Sequence, residues 1–161
     1  MKRTNSKLVI APVGKLQSRI VSTVRSLKGI GIYVSLNKNQ GKIREDFKKS
    51  GVDLGKLFFI DCVGSGGADR GIAQISPARL DDLGCAIDAF VDEIKEKKFL
   101  VIDALSVLLI YNNENEVALF VRNVIEHASG KDVEVIAFSP KTKGEELLNK
   151  IFGAFDEVNG K

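Results

Sequence analysis

The chain has 161 residues, 44% of them hydrophobic and 28% charged, with a formal net charge of +3. A domain of roughly 150 residues buries about 70% of its unfolded surface, so residues 1–161 are expected to form one domain with a full core, not a disordered or repetitive chain. The longest apolar runs, such as Phe99 to Ile102 and Ser106 to Tyr111, fall far short of the about 20 residues that span a bilayer, which excludes a membrane-crossing helix.

In chain order, the first strand-like run is Leu8 to Ala11, followed by a helical stripe of Leu16, Ile20, Val21, Val24 and Leu27 that stops at Gly29. A second strand, Gly31 to Ser35, leads to a helix carrying Ile43 and Phe47 and ending at Gly51. The third strand is Leu57 to Asp61, after which VGSGGADRG, Val63 to Gly71, reads as a connector. It matches neither GxGxxG, which needs glycine where Asp69 stands, nor a P-loop, which needs lysine where Ile72 stands. A third helix opens with Ser76 as N-cap and Pro77 at its first position, then spaces Leu80, Leu83, Ile87, Phe90, Val91 and Ile94 along one face. The fourth strand is Phe99 to Asp103 and the fifth Val133 to Phe138. Asn113 with Glu116, and Thr142 with Glu145, have capping-box spacing and announce the last two helices, closed by Gly130 and Gly153. A short sixth strand is expected through Phe155 to Val158. Near-continuous apolar strands alternating with amphipathic helices predict a three-layer α/β/α sandwich on a mainly parallel sheet.

Ligands of such sheets lie at the carboxyl ends of the strands, here APVGK, SLNKNQ, DCVGSGG, DALS and SPKT. Asp103 is placed to hold magnesium beside a phosphate, or else to cap the DALS turn, and Asp61 has the same two readings with the structural one favoured. His127 has no nucleophile near it in the pattern and is expected to face solvent or be satisfied locally. Cys62 and Cys85, the only cysteines, form no CxxC pair and fit small buried hydrophobes in a reducing, cytoplasmic setting. Lysines are scattered among acids, as in KKSGVDLGK and DEIKEKK, so nucleic acid is not indicated.

The stretch GIYVSLNKNQGKIREDFKKSGVDLGKLFFID with FLVIDALSVLL resembles the RecA-like ATPases, especially their KaiC-like branch. The resemblance rests on Tyr33 to Ser35, Gly51 to Asp53 and Phe99 to Ser106. It implies a RecA-like fold in which Asp103 matches the Walker B aspartate and ATP with magnesium would be the ligand. The chain departs from that pattern at two places. Leu36, Asn37 and Lys38 stand where the KaiC-like pattern has glutamates. A P-loop, GxxxxGK[ST], would need glycine at Val9 and a hydroxyl at Leu16; only Gly14 and Lys15 match. Losing several charge-assisted bonds of roughly 1.5 to 3 kcal/mol each lowers triphosphate affinity by on the order of a thousandfold or more.

The expectation is therefore a non-catalytic RecA/KaiC-like domain, most similar to small archaeal-type proteins tied to signal transduction, that self-associates or pairs with a paralogous ATPase. No cofactor is expected. The alternative is a divergent ATPase that binds nucleotide weakly through Lys15 and Asn37 with metal at Asp103, its site completed by a partner subunit. A phospho-acceptor receiver domain is disfavoured, because Ile10, Ala11 and Pro12 supply no acidic pair after the first strand.

Overall fold

The computed structural model describes residues 5–63, 72–141 and 145–160. Seven strands form one sheet: β1 (Asn5–Ala11), β2 (Ile30–Ser35), β3 (Leu57–Asp61), β4 (Ile72–Gln74), β5 (Lys98–Asp103), β6 (Val133–Pro140) and β7 (Glu157–Asn159). Their order is β4-β3-β2-β5-β6-β1-β7, and every pairing is parallel. Five helices connect them: α1 (Val13–Ser26), α2 (Gln40–Lys49), α3 (Leu80–Glu93), α4 (Glu114–Ala128) and α5 (Glu145–Ile151).

The strand order explains where the helices lie. From β1 the chain moves through β2, β3 and β4 toward one edge, then returns to insert β5 and β6 between β2 and β1, and finally adds β7 outside β1. Crossovers between parallel strands are right-handed, so outward and returning connections must cover opposite faces. Accordingly, Leu16, Ile20 and Val24 of α1 and Ile43 and Phe47 of α2 pack on Val9, Tyr33, Phe59, Phe99, Val101 and Phe138. On the other face Leu83, Ile87 and Val91 of α3, Val117 and Val121 of α4 and Leu147 of α5 pack on Leu8, Ile32, Val34, Leu100 and Ile102. Alternation along each strand divides neighbouring residues between these two cores. Gly31 belongs to this packing, since a Cβ there would lie 2.4 Å from the Phe99 ring and 2.6 Å from Leu57 Cδ2.

Most expected elements are present, with shifted ends. The third helix begins at Leu80, not Pro77: Ser76 Oγ accepts from the Ala78 N–H, and the Arg79 N–H donates to the Ser76 carbonyl, so Ser76 closes a turn ahead of the helix. The Asn113–Glu116 capping box is complete in both directions, at 2.8 and 3.0 Å. Thr142 and residues 64–71 of the Gly-rich connector lie outside the described residues. The strand expected at Phe155 to Val158 is Glu157–Asn159, with Phe155 buried beneath it instead. Strand β4 was not anticipated; its three residues, next to a glycine-rich segment, carry too little pattern to register. No helix among the described residues is long and apolar enough to cross a membrane.

Candidate functional site

At the carboxyl edge of the sheet three polar residues stand in one row. Ser35 ends β2 and pairs with Asp61 of β3 on one side and Asp103 of β5 on the other. All three are at least 97% buried. A buried carboxylate or hydroxyl left unpaired is costly, so each must find partners within the protein.

The partners lie mostly in the segment between β2 and α2. Ser35 Oγ donates to the Lys38 carbonyl. Asp61 accepts from the backbone N–H of Gln40, at 3.3 Å, and from that of Val63, at 2.9 Å, placing a carboxylate at the amino end of α2 where the helix dipole favours it. Asn39 supplies the cap proper, accepting from the Lys42 N–H. Asp103 receives the Tyr33 hydroxyl on Oδ2 at 2.6 Å and the Asn37 amide on Oδ1 at 3.2 Å, while its carbonyl accepts from the Leu36 N–H at 2.8 Å. Three neighbouring strands thus hold residues 36 to 40 from beneath.

Burial raises the Asp103 carboxyl above its usual range, against the opposing pull of the Tyr33 hydroxyl, the Lys38 charge and the Asn37 amide. Burial, with the Asp103 charge adding to it, pushes the Tyr33 phenol well above its usual value, so it stays a donor. Tyr33 is itself walled by Phe47, edge-on at 5.2 Å between ring centroids, and by Phe59. Lys38 turns outward to Asp46, at 3.1 Å, and to Gln17 Oε1, at 3.3 Å, and its hydrogen bond holds the Asp46 carboxyl below the usual range.

Of the three residues singled out in the sequence, two meet. Asn37 bonds Asp103; Lys15 lies exposed in the first turn of α1 and makes no side-chain hydrogen bond or ion pair among the described residues. One strand, β6, separates β1 from β5. Pro12 alone links β1 to α1, and the Lys15 N–H donates to its carbonyl, so helix geometry begins immediately after the strand. A cation at Asp103 would have to draw on oxygens that already accept from Tyr33 and Asn37; Asn37, the exposed and longer contact, is the one that could swing aside. No group of three or more His, Cys, Asp or Glu side chains suited to a metal occurs among the described residues.

Tyr33 and Ser35 were not singled out as site residues. Their spacing of two on a strand puts them on one face, but only the pairing of β2 with β5 puts that face beside Asp103. His127 is satisfied locally, as its position suggested: Nε2 lies 3.0 Å from Asp92 and Nδ1 3.7 Å from Asp88.

No protein-family profile matches the chain, and no curated protein matches it. Solved structures do. An uncharacterized protein from Pyrococcus horikoshii, PH0321, crystallised in complex with an unknown peptide, superposes with a TM-score of 0.73 at 13% identity, over 98% of this chain and 77% of that one. The KaiC-like protein PH0186 from Pyrococcus horikoshii OT3 superposes with a TM-score of 0.60 at 16% identity, over 89% of this chain and 68% of that one. The fold is RecA-like. C. elegans PCH-2 is more distant, with a TM-score of 0.51 at 12% identity over 98% of this chain and 35% of its own length. At these identities the likeness speaks for the fold and not for an activity.

Proposed function

We propose that residues 1–161 form a single RecA/KaiC-like domain that acts as a non-catalytic binding or regulatory module in signal transduction, without a phosphate loop, bound cofactor or turnover of its own. One observation carries this reading: the buried polar row at the strand ends is used for structure, with both Asp103 oxygens accepting from Tyr33 and Asn37. The single-residue link at Pro12 supports it, since a loop that cradles phosphates needs several backbone N–H groups exposed between strand and helix. The partner is a polypeptide, either a second copy or a paralogous ATPase. The unknown peptide bound by the Pyrococcus protein of this fold supports a peptide-binding role.

The second reading, a divergent ATPase completed by a partner subunit, draws on Lys15, which is exposed at the start of α1 and makes no ion pair among the described residues. Thermal unfolding with and without millimolar magnesium-ATP separates the two. A ligand at 100 times its dissociation constant stabilises by about 2.7 kcal/mol, so a bound nucleotide would raise the transition by several degrees. The non-catalytic reading expects no shift, and a saturable one would refute it.

A further inference from the structure

Charge is segregated between the two helical layers. On the layer over one face of the sheet, α1 carries Lys15, Arg19 and Arg25 and no acid, and α2 carries four basic residues and two acids. Both acids of α2 are spoken for, Glu45 by Lys49 and Asp46 by Lys38 and Lys42, so the layer presents uncompensated positive charge. On the opposite layer α3 carries five acids and no base, with Asp82 paired to Arg79 and Asp92 to Lys131 and His127, and α4 carries three acids and, besides His127, one base. That base, Arg122, donates to the carbonyl of Lys150 on α5. The small net charge of +3 therefore hides a basic face and an acidic face on opposite sides of one sheet.

The shapes of the two faces also correspond. Between α3 and α4 runs a cleft of about 470 Å³ with an apolar floor that includes Gly84 and Phe120, and with Asp81, Asp88 and Glu116 along it. At its side Leu119 stands 57% exposed, an apolar side chain projecting from an acidic surface. Between α1 and α2 lies an open groove of about 840 Å³ walled by small residues, among them Gly14, Ser18 and Ser22, with Arg25, the Glu45-paired Lys49 and the Lys38-paired Asp46 on its sides. Small side chains leave room for a projecting apolar one, and Arg25, with no ion pair among the described residues, is of the sign that the acidic face lacks.

We infer that the α3–α4 face of one copy of this chain docks on the α1–α2 face of a second copy, with Leu119 entering the α1–α2 groove. The inference rests on reading the chain as a protein-binding module and names the surfaces through which it binds itself. Unlike faces meet, so the contact is heterologous and does not close at a dimer; each added copy leaves one basic and one acidic face open. A second copy is favoured over a polyanion because one chain supplies both complementary faces and a projection to match the groove.

Analytical ultracentrifugation of the full chain tests this. At low salt the weight-average mass is expected to climb with concentration beyond twice the 17.6 kDa monomer. It should fall toward the monomer at 1 M salt, where the screening length is about 3 Å. Arg25→Glu with Lys49→Glu, and separately Asp81→Lys with Leu119→Lys, should each weaken association at least about tenfold. Mixing the two variants should restore the contact as a 1:1 pair of about twice the monomer mass that grows no further, because each keeps only the face the other has lost. Unchanged circular dichroism and melting of both variants exclude misfolding. A wild-type chain that stays monomeric at low salt, assembly untouched by either variant, or variants that do not recover on mixing overturns the inference. So does a monomer that binds polyuridylate through Arg25 and Lys49, which would make the basic face a polyanion site. Magnesium-ATP melting on the same samples keeps the two ideas apart: a nucleotide shift with assembly intact refutes the non-catalytic reading alone, and failed assembly without a shift refutes the docking alone.

Discussion

Tyr33→Phe removes one oxygen from the centre of the molecule and leaves the packing of the ring against Phe47 and Phe59 in place. What it deletes is the 2.6 Å bond from the hydroxyl to Asp103 Oδ2, with donor and acceptor both buried. A hydrogen bond to a charged group contributes roughly 1.5 to 3 kcal/mol, and a buried carboxylate that loses a donor bears its desolvation with less compensation. The expected loss at pH 7 is about 2 kcal/mol, which for a chain of this size lowers the melting temperature by roughly 4 to 8 °C. Urea unfolding followed by far-ultraviolet circular dichroism measures it. The pH dependence supplies the sharper check. Asp103 in the folded protein holds its proton above the usual carboxylate range because it is buried. The folded state therefore binds more protons than the unfolded one between the usual carboxylate pKa and the raised one, and stability from this group falls as pH rises through that window. The bond to Tyr33 offsets that loss. Removing it should push the Asp103 carboxyl higher still, so the Tyr33→Phe deficit is largest at pH 7 and shrinks as pH falls well below 3.8, the usual aspartate value, where Asp103 is neutral in both states. In an Asp103→Asn background the same substitution should cost less than half as much. A deficit below about 0.5 kcal/mol at pH 7, or one that neither pH nor Asp103→Asn alters, would refute the account of the site as a structural cluster.

Gly31→Ala should destabilise by about 1 to 3 kcal/mol in the same assay, because its Cβ would press into the Phe99 ring and Leu57, both enclosed in the core. Asn113→Ala removes the acceptor of the Glu116 N–H and should cost about 1 kcal/mol, with Asn113→Asp recovering most of it. Cys85 is exposed, against the expectation that both cysteines are buried, so iodoacetamide at pH 8 should label the native protein once, there, because Cys62 is buried and its thiol is pushed up to about 12 by that burial with the Asp61 charge adding. Mass spectrometry of the native and urea-unfolded protein, expected to show one and two labels, checks this.

The local elements were legible because each rests on short-range pattern. The stripe from Leu16 to Leu27, the apolar run FLVID and the Asn113–Glu116 box each place their residues within one turn or one strand, where spacing alone decides which side chains meet. Strand β4 failed that test, being three residues long. Asp103 was legible as a strand-end carboxylate, but its partner Tyr33 stands 70 residues away, and no local periodicity links two strands that pair through the fold. The same holds for Ser35 between Asp61 and Asp103. The fate of Lys15 was decided by the length of the link before it: with Pro12 alone between β1 and α1, its backbone enters the helix and its side chain points to solvent.

Charge shows the division most plainly. Along the chain the signs are already partly sorted, with ten basic and no acidic residues before Glu45 and five acids with no base from Leu80 to Glu93, although the sum is only +3. The sequence by itself determined which residues form strands and helices, and so which helix carries which charge. The tertiary structure decided that α1 and α2 share one face and α3 and α4 the other, because the strand order reverses direction after β4 and right-handed crossovers must then cover the opposite side. That reversal turns a chain of mixed charge into a domain with one basic and one acidic face, and brings Tyr33, Ser35, Asp61 and Asp103 to a single row.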